Sequence, residues 1–136
     1  MTVQLVRPPP VWRRPYAYAS VAESGALVFT AGACPRDRNE AVVGAGDVAR
    51  QTQQVMANLT EALAAAGATL TDALKTTVYV ASGDRRDLLA AWDVVRAAFG
   101  EHDAPSTLLG VAILGYRDQL VEVEAVALIG GTGSAR

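Results

Sequence analysis

Residues Leu120 to Leu128 alternate with a period of two, and two glutamates stand among positions that otherwise carry apolar side chains. Successive side chains of a strand point to opposite faces of a sheet, so one face of this segment is wholly apolar. The other face carries Glu122 and Glu124 between apolar neighbours. A buried carboxylate without a partner is costly, so such a glutamate is paired, lines a wet cleft or takes part in chemistry. The glutamate face is therefore where a functional site is expected.

Runs rich in β-branched and aromatic residues predict further strands over residues 17–21, 26–31 and 74–81, with a turn at residues 23–25. Residues 105–128 are expected to hold two strands around a short polar turn. Apolar residues spaced by three and four predict two helices between these strands. The resulting order, β-β-α-β-α-β-β, favours an α+β fold in which one mixed sheet carries both helices on one face.

Both predicted helices have clear ends. Asp47 is the expected N-cap of the first helix, which ends at Gly67; Ser82 or Asp84 caps the second, which ends at Gly100. The residues expected to be buried on the first helix are Val48, Thr52, Val55, Met56, Leu59, Leu63 and Ala66. Those expected to face away from its core side are Arg50, Gln51, Gln54, Asn58 and Glu61. The expected buried residues of the second helix are Leu88, Leu89, Trp92, Val95 and Phe99.

The length of 136 residues predicts one domain over residues 15–129, preceded by a proline-rich segment at 1–14 and followed by a disordered tail at 130–136. The single cysteine, Cys34, excludes an internal disulfide and fits a reducing compartment. The N-terminus has no apolar run typical of a secretory signal, and no segment approaches the ~20 apolar residues that span a bilayer. A cytoplasmic protein without a membrane partner is expected.

The composition also bears on partners. A net charge of −2 leaves no basic surface for nucleic acid, so no nucleic-acid partner is expected. Apolar residues make up 51% of the chain, and residues 107–114 place apolar side chains on both faces of the predicted strand. Two helices cover only one face of such a sheet, and a large apolar patch is unusual on a monomer. The sequence therefore predicts an oligomer.

Several segments, in this order and spacing, resemble the Rid family of reactive intermediate deaminases, which includes the RidA enamine/imine deaminases. The resemblance extends from about Pro15 to Leu128. The segments that carry it are Pro15-Tyr16, Leu27-Val-Phe-Thr-Ala-Gly32 with Pro35, Asp47-Val-Ala-Arg-Gln-Thr, Leu74-Lys-Thr-Thr-Val-Tyr-Val80, Glu101-His-Asp-Ala-Pro105 and Leu120-Val-Glu-Val-Glu-Ala-Val-Ala127.

This resemblance implies a chorismate-mutase-like fold, a homotrimer with sheets around a central barrel, and ligand clefts between subunits. It also implies cofactor-independent hydrolysis of a small enamine or imine to a keto acid and ammonia. In the family, a glutamate on the last strand holds or activates water, and an arginine clamps the substrate carboxylate. A tyrosine near the N-terminus and a serine before a glycine help to shape the pocket.

The site residues carry over only in part. Glu122, Tyr16 and Gly32 match the glutamate, tyrosine and glycine of the family pattern, whereas Thr107 stands at the arginine position and Ala31 at the serine position. Trp92 aligns with an asparagine that some members carry. A charge-assisted hydrogen bond is worth ~1.5–3 kcal/mol, so loss of the arginine implies weaker binding of a carboxylate. The chain therefore resembles a divergent member.

The matched residues also have structural interpretations. Glu122 is either a water-positioning base or an ion-pair partner at a subunit contact, and Glu124 fits a salt bridge at the rim. Thr107 is a hydrogen-bond donor to a ligand or an ordinary strand former. Tyr16 fits a packing role with its hydroxyl at the cleft.

Other polar residues are interpreted as structural. Arg117, in the turn before the last strand, either supplies a cation to the cleft or is a solvated turn residue, and the second interpretation is favoured. Cys34 fits a small half-buried thiol better than a nucleophile, since the only histidine, His102, is remote in sequence. One cysteine and one histidine predict no zinc site.

Three functions remain at this point. The leading one is a trimer that hydrolyses a small imine, enamine or related metabolite, with Glu122 as the catalytic group and Thr107, Tyr16, Ala31, Gly32 and Arg117 in contact with substrate. The second is a non-catalytic trimer that binds a small metabolite or regulates a partner, which the loss of the arginine and serine favours. The third is the ribonuclease activity ascribed to some relatives, against which the acidic charge balance argues.

Overall fold

The computed structural model describes residues 3–7 and 16–130 of the chain, and a four-stranded mixed sheet is their central element. In chain order the elements are β1 (Val3–Val6), β2 (Ala19–Ala22), β3 (Ala26–Phe29), α1 (Val48–Ala65), β4 (Ala73–Val80), α2 (Arg85–Phe99), β5 (Ser106–Gly110) and β6 (Val121–Ile129). A single 3-10 turn, Leu70–Asp72, leads into β4. The mixed sheet and the two helices confirm the predicted α+β class.

The sheet has the order β3-β6-β4-β5. Strand β6 lies in its middle and runs antiparallel to both β3 and β4, whereas β5 runs parallel to β4 along the edge. Parallel neighbours need a crossover, and α2 provides the one between β4 and β5. The register aligns Tyr79 of β4 with Glu122 of β6 on one side and with Leu109 of β5 on the other.

The helices begin and end at the residues that the sequence predicts. The Asp47 carboxylate accepts a hydrogen bond of 3.0 Å from the backbone N–H of Arg50, and Asp84 accepts one of 2.9 Å from the N–H of Arg86. Gly67 follows α1 with φ at 84°, and Gly100 ends α2 with φ at 65°. Only glycine adopts these angles without strain, which explains why the helices end there.

Both helices pack on the same face of the sheet. Their buried side chains form one core with the apolar face of β6 and with alternate residues of β4. The largest fully buried apolar side chains of this core are Leu59, Leu63, Val55, Val78, Val80, Val95, Val121 and Val123. The predicted alternation of β6 is therefore confirmed on its apolar side.

The opposite face of the sheet carries no helix among the described residues. We call it the open face. Two large apolar side chains of β3 are strongly exposed there, Phe29 at 71% and Leu27 at 54%. Leu109 of β5 is also exposed, at 41%. By register, the open face consists of Leu27, Phe29, Lys75, Thr77, Tyr79, Thr107, Leu109, Glu122, Glu124, Val126 and Leu128.

Three helix residues differ from the sequence prediction. Gln51, expected to face away from the core, is fully buried, because its amide satisfies the backbone of a neighbouring loop. Leu89, expected in the buried face of α2, is 57% exposed, and Ala91 takes the buried position instead. Ala66 is exposed because α1 ends at Ala65. Ala91 is small enough to pack close to the sheet, and the spacing of the large apolar residues along α2 does not predict this.

The strand connections differ as well. Strand β2 does not form a hairpin with β3 but pairs antiparallel with β1, an element that the sequence did not predict. The two C-terminal strands are not joined by a short turn, since β5 ends at Gly110 and a ten-residue loop, 111–120, separates it from β6. A Cβ on Gly110 would lie 2.7 Å from the carbonyl oxygen of Ser82, so only glycine fits this close approach.

The two expected terminal segments lie largely outside the described residues, apart from 3–7 and Gly130. Within the described residues, no helix has the length and hydrophobicity that crossing a bilayer requires.

Candidate functional site

Glu122 lies in the middle of the open face, and its side chain extends toward the segment that follows β3. That segment is fixed to β6 by two backbone hydrogen bonds between Ala33 and Val123, of 2.8 and 3.2 Å. Gly32 stands directly beside the carboxylate. A Cβ at position 32 would lie 2.1 Å from Glu122 Oε2, so the space for the carboxylate exists because residue 32 is glycine. The structure therefore brings together two of the residues that match the family pattern.

Two side chains hold the Glu122 carboxylate in place. Gln119 Nε2 donates to Oε1 at 3.0 Å, and Cys34 Sγ donates to the same oxygen at 3.4 Å. Among the described residues, the hydrogen bonds that Glu122 accepts all end on Oε1. The second oxygen, Oε2, is left to receive a donor such as water. The arrangement fixes one oxygen and leaves the other for chemistry.

The Cys34 thiol is a proton donor in this cluster. Burial of the sulfur, together with the hydrogen bond to Glu122 and its negative charge, raises the Cys34 pKa from 9.0 to about 11. Gln119 and Arg36 act in the opposite direction. A thiol with this pKa stays protonated at neutral pH, which fits a donor and disfavours a nucleophile.

Gln119 is positioned by the loop that leads into β6. Its side-chain oxygen accepts from the Tyr116 N–H at 3.1 Å, while its amide also donates to the carbonyl of Val121 at 3.1 Å. Gln119 is 4% exposed. Buried polar groups need partners, so this one residue ties the loop, the strand and the Glu122 carboxylate together.

The loop is fixed a second time by Gln51 on α1. Its amide nitrogen donates to the Asp118 carbonyl at 2.8 Å, and its oxygen accepts from the Leu120 N–H at 2.8 Å. Asp118 has a φ of 65°, which a non-glycine residue adopts only where its surroundings impose it. Neither glutamine was predicted as a site residue. The only feature of the sequence that could have indicated this role was the position of Gln51, a polar residue on the apolar side of α1.

A second group of predicted residues meets at the β5 edge of the sheet. Tyr16 and Thr107 line a cavity of about 450 Å³ together with Leu89, Trp92, Ser106 and Leu108. The Tyr16 and Trp92 rings pack edge to face with centroids 6.0 Å apart. The cavity is thus walled by aromatic and aliphatic side chains and carries the Thr107 and Ser106 hydroxyls. Trp92, interpreted as core from its spacing, is half-buried and faces this cavity.

The two groups stay apart within one chain. Thr107 lies on β5 and Glu122 on β6, with β4 between them and an offset of two residues along the strands. Strand spacings of 4.8 Å and a rise of 3.3 Å per residue put their Cα atoms about 12 Å apart. Glu122 and Gly32 do not line the Tyr16 cavity. One chain therefore presents two half-sites rather than a closed pocket.

Lys75 contacts the Tyr16 cavity through Thr107. Its ammonium nitrogen lies 2.6 Å from Thr107 Oγ1 and donates to that hydroxyl. Sequence reasoning did not single out Lys75, because a lysine at the start of a strand has no distinctive pattern. On the same face, Tyr79 has a raised pKa because its hydroxyl is partly removed from water and lies near the Glu124 and Glu122 carboxylates.

The remaining candidates lie elsewhere. Arg117 is exposed in the 111–120 loop and lines a separate cavity of about 360 Å³ with its neighbours in that loop. Ala31 is exposed next to Gly32. His102 uses its ring nitrogen Nε2 in a 2.8 Å hydrogen bond with the Ala73 carbonyl. Over residues 3–7 and 16–130, no group of three or more His, Cys, Asp or Glu is placed to bind a metal ion.

Comparison with known proteins identifies the family of this chain. Residues 12–129 match the family model described as Endoribonuclease L-PSP. A RutC family protein of Pyrococcus horikoshii is 34% identical over 110 residues, which cover 81% of this chain and 85% of that protein. A 2-iminobutanoate/2-iminopropanoate deaminase of Salmonella typhimurium is 33% identical over 114 residues, which cover 82% and 86% of the two chains.

A solved structure shares the fold closely. The protein YyfB of Yersinia pestis, described as a member of the conserved Rid protein family, superposes with a TM-score of 0.86 at 30% sequence identity. The match covers 95% of this chain and all of that one. The predicted chorismate-mutase-like fold is confirmed, and this chain belongs to the Rid family, whose model bears the Endoribonuclease L-PSP name.

Proposed function

We propose that this protein is a cytoplasmic homotrimer that hydrolyses a small reactive imine or enamine in clefts between its subunits. The observation that carries the proposal is the Glu122 carboxylate, which is held by Gln119 and Cys34 on one oxygen and given space by Gly32 at the other. Relatives named as imine and aminoacrylate deaminases support this reaction class.

The reaction needs one base and no redox partner. Glu122 Oε2 accepts a proton from water while the water oxygen bonds to the imine carbon, and the C=N π electrons move to nitrogen. The nitrogen of the resulting carbinolamine takes up the proton from Glu122. The C–N bond then breaks as the hydroxyl proton passes through the Glu122 carboxylate to the departing nitrogen, which gives a carbonyl compound and ammonia and regenerates the carboxylate. An enamine enters the same sequence after protonation at carbon.

The trimer would complete each cleft. One chain holds the Gly32–Glu122 half-site and the Tyr16–Thr107 half-site on different parts of its surface, about 12 Å apart by strand geometry. The exposed Phe29, Leu27 and Leu109 side chains of the open face supply apolar area for subunit contact. In a ring of three copies, the half-site of one subunit would face the other half-site of its neighbour.

Ammonia release tests the activity. An L-amino-acid oxidase generates the imine in situ, and the protein is added as wild type, Glu122→Gln or Glu124→Gln. Glu124 is the matched control because it lies on the same strand and face, two residues further along. We expect acceleration by wild type and Glu124→Gln, and about a hundredfold loss in Glu122→Gln, the usual contribution of a general base. Equal activity of all three variants would contradict the assignment of Glu122.

Mixed trimers test where the cleft lies. Glu122→Gln and Thr107→Asp each disable one half-site, so each variant alone is expected to be inactive. In co-refolded 1:1 mixtures, about a quarter of the inter-subunit clefts receive both intact halves, and about a quarter of wild-type activity returns. If both halves of a cleft belonged to the same subunit, mixing would restore nothing.

A non-catalytic binding protein is the second candidate, and the Thr107 and Ala31 positions favour it. The family resemblance implies an arginine at position 107 and a serine at position 31. In this chain Thr107 supplies a hydroxyl without a charge, and Ala31 supplies no polar group. Thr107→Arg distinguishes the two. A silent wild type whose Thr107→Arg variant gains ammonia release would indicate an intact cleft that serves another ligand. Silence of both proteins would favour a binding function.

A further inference from the structure

We propose that Arg36 is a positioning residue for the Glu122 carboxylate and acts on it through the Tyr116 ring and Gln119. The inference rests on the proposed function and deepens it, because it names a residue on which the orientation of the base depends. The observation that carries it is the Arg36 guanidinium, whose central carbon lies 4.2 Å from the centroid of the Tyr116 ring. This contact joins the two segments that hold Glu122 Oε1, one through Cys34 and the other through Gln119.

The backbone of Arg36 belongs to a short hairpin, residues 35–43, that directly follows Cys34. A backbone hydrogen bond of 2.9 Å joins the first and last residues of this hairpin. From α1, the Asn58 side-chain nitrogen donates to the carbonyls of Cys34 and Arg36, both at 2.8 Å. One amide therefore holds the Cys34 segment and the start of the hairpin against the helix.

Two further contacts orient the Arg36 guanidinium. Its Nε donates to the Glu40 carbonyl at 3.0 Å, and a terminal nitrogen lies 3.7 Å from the Glu40 carboxylate. The Arg36 side chain is 27% exposed, so the guanidinium is partly removed from water where it meets the ring. A cation over an aromatic face is attracted more strongly when it is desolvated. The stack therefore fixes the Tyr116 ring to the hairpin.

Tyr116 carries the effect of the stack to the carboxylate. Its backbone N–H donates to Gln119 Oε1 at 3.1 Å, and Gln119 Nε2 donates to Glu122 Oε1 at 3.0 Å. The contacts form a closed ring, since Arg36 leads back through the backbone to Cys34, the second donor to the same oxygen. A catalytic group needs supporting contacts that hold it within about 0.5 Å of its productive geometry. The ring supplies such support from both sides of the carboxylate.

The stack supplies an anchor in the middle of the 111–120 loop. Gln51 already bonds to the backbone near the end of that loop. Tyr116 stands before this anchored end, and it is 45% exposed. A side chain keeps its rotamer freedom unless neighbouring groups pack against it. Since Arg36 covers one face of the ring, its removal is expected to loosen Gln119 while Gln51 still holds the loop in place.

Steady-state kinetics of ammonia release give the first test. We expect Arg36→Met and Tyr116→Leu each to lower kcat about two- to thirtyfold while KM changes less than twofold. Tyr116→Phe keeps the ring and should keep the wild-type kcat. Arg38→Met is the matched control, because Arg38 lies on the same hairpin and its guanidinium bonds to Glu61 of α1 at 2.9 Å. Equal kcat values for Arg36→Met and Arg38→Met would overturn the proposal.

The double variant Arg36→Met/Tyr116→Leu tests whether the two residues act along one path. If Arg36 acts through the Tyr116 ring, the double variant should lose no more kcat than the more impaired single variant. A loss equal to the product of the two single losses would show that Arg36 acts independently of Tyr116, and would refute the path.

Nuclear magnetic resonance separates this proposal from the question of turnover. The Gln119 side-chain amide is assigned in ¹H–¹⁵N spectra by its absence from Gln119→Met. We expect this resonance to shift in Arg36→Met and Tyr116→Leu, and to stay in place in Arg38→Met and Tyr116→Phe. A shifted amide in a protein that releases no ammonia would support the positioning role while the proposed activity fails. An amide that does not move in Arg36→Met would refute the role, and the activity of the wild type would stand or fall separately.

Discussion

Glu122 Oε2 occupies the position in which a side chain on Gly32 would begin, since a Cβ there would lie 2.1 Å away. The two residues come from segments 90 positions apart and meet because Ala33 bonds to Val123 beside them. Gly32 does not have a positive φ, so its role is to leave space rather than to permit an unusual backbone. This distinction decides what a methyl group at position 32 would do.

Gly32→Ala is expected to impair activity much more than stability. The new methyl group pushes aside the end of a flexible side chain, so the free energy of unfolding should change by less than about 1 kcal/mol. The displaced base should lower kcat about tenfold to a hundredfold. Gly83→Ala is the matched control, because a Cβ at position 83 has no atom within 4 Å. Urea unfolding and ammonia release check both quantities; parallel loss of stability and activity would contradict the expectation.

Cys34 is expected to react slowly with iodoacetamide. A thiol with a pKa of about 11 carries about a hundredfold less thiolate at pH 8 than one at 9.0. Glu122→Gln removes a negative charge that raises this pKa, so the alkylation rate should increase, although burial remains the larger cause. Mass spectrometry of timed samples gives the rate. A rate equal to that of unfolded protein would show that Cys34 is not held in this environment.

The same pKa predicts how stability depends on alkaline pH. The folded state holds the Cys34 proton more tightly than the unfolded state does, since the pKa rises from 9.0 to about 11 on folding. The stabilisation is complete below pH 9 and is lost as the pH rises toward 11. Chemical unfolding at pH 8 and pH 10.5 should therefore show a smaller decrease for Cys34→Ala than for wild type, and equal decreases would contradict the linkage.

Gln51→Met is expected to destabilise the protein by about 1–3 kcal/mol, because it keeps the side-chain size and leaves the Leu120 N–H and Asp118 C=O without their partner. Gln53→Met, an exposed position on the same helix, is the control and should stay within about 0.5 kcal/mol of wild type. Urea denaturation measures both. Since the loop also carries Gln119, Gln51→Met should lower activity too.

Phe29→Asp is expected to dissociate the proposed trimer. The Phe29 ring is 71% exposed in one chain, and covering it contributes about 1.5–3 kcal/mol per subunit. Ala64→Asp places the same charge on an exposed position of α1, in the helix layer on the other side of the sheet, and should leave the assembly intact. Sedimentation velocity measures the mass of each variant. A wild-type monomer at micromolar concentration would refute the assembly.

The elements that the sequence predicts best are those that depend on residues close together in the chain. Asp47 and Gly67 bound α1, and the alternation of residues 121–127 identifies β6 and its buried face. Gln51 was misplaced because its partners, Asp118 and Leu120, are 67 and 69 residues away. A helical pattern describes which side of a helix is apolar, and it contains no information about a loop that needs a hydrogen-bond donor on that side.

The half-sites show the same limit. The strand pattern singled out Glu122, the family resemblance added Gly32, Tyr16 and Thr107, and the structure groups the four residues in two pairs. The contact between Lys75 and Thr107 was not predicted because it arises from the parallel register between β4 and β5, which aligns Thr77 with Thr107. Such a register depends on a crossover helix and on edge contacts, and no short stretch of sequence encodes it.

The strand order also has a consequence for biosynthesis. Strands β3 and β4 meet only through β6, although β6 is made about 40 residues after β4 is complete. During translation the nascent chain therefore carries two helices and several unpaired strand edges while the centre of its sheet is still inside the ribosome. Productive folding of this enzyme candidate must wait for its last strand, and chaperone protection in that interval would favour soluble yield over aggregation.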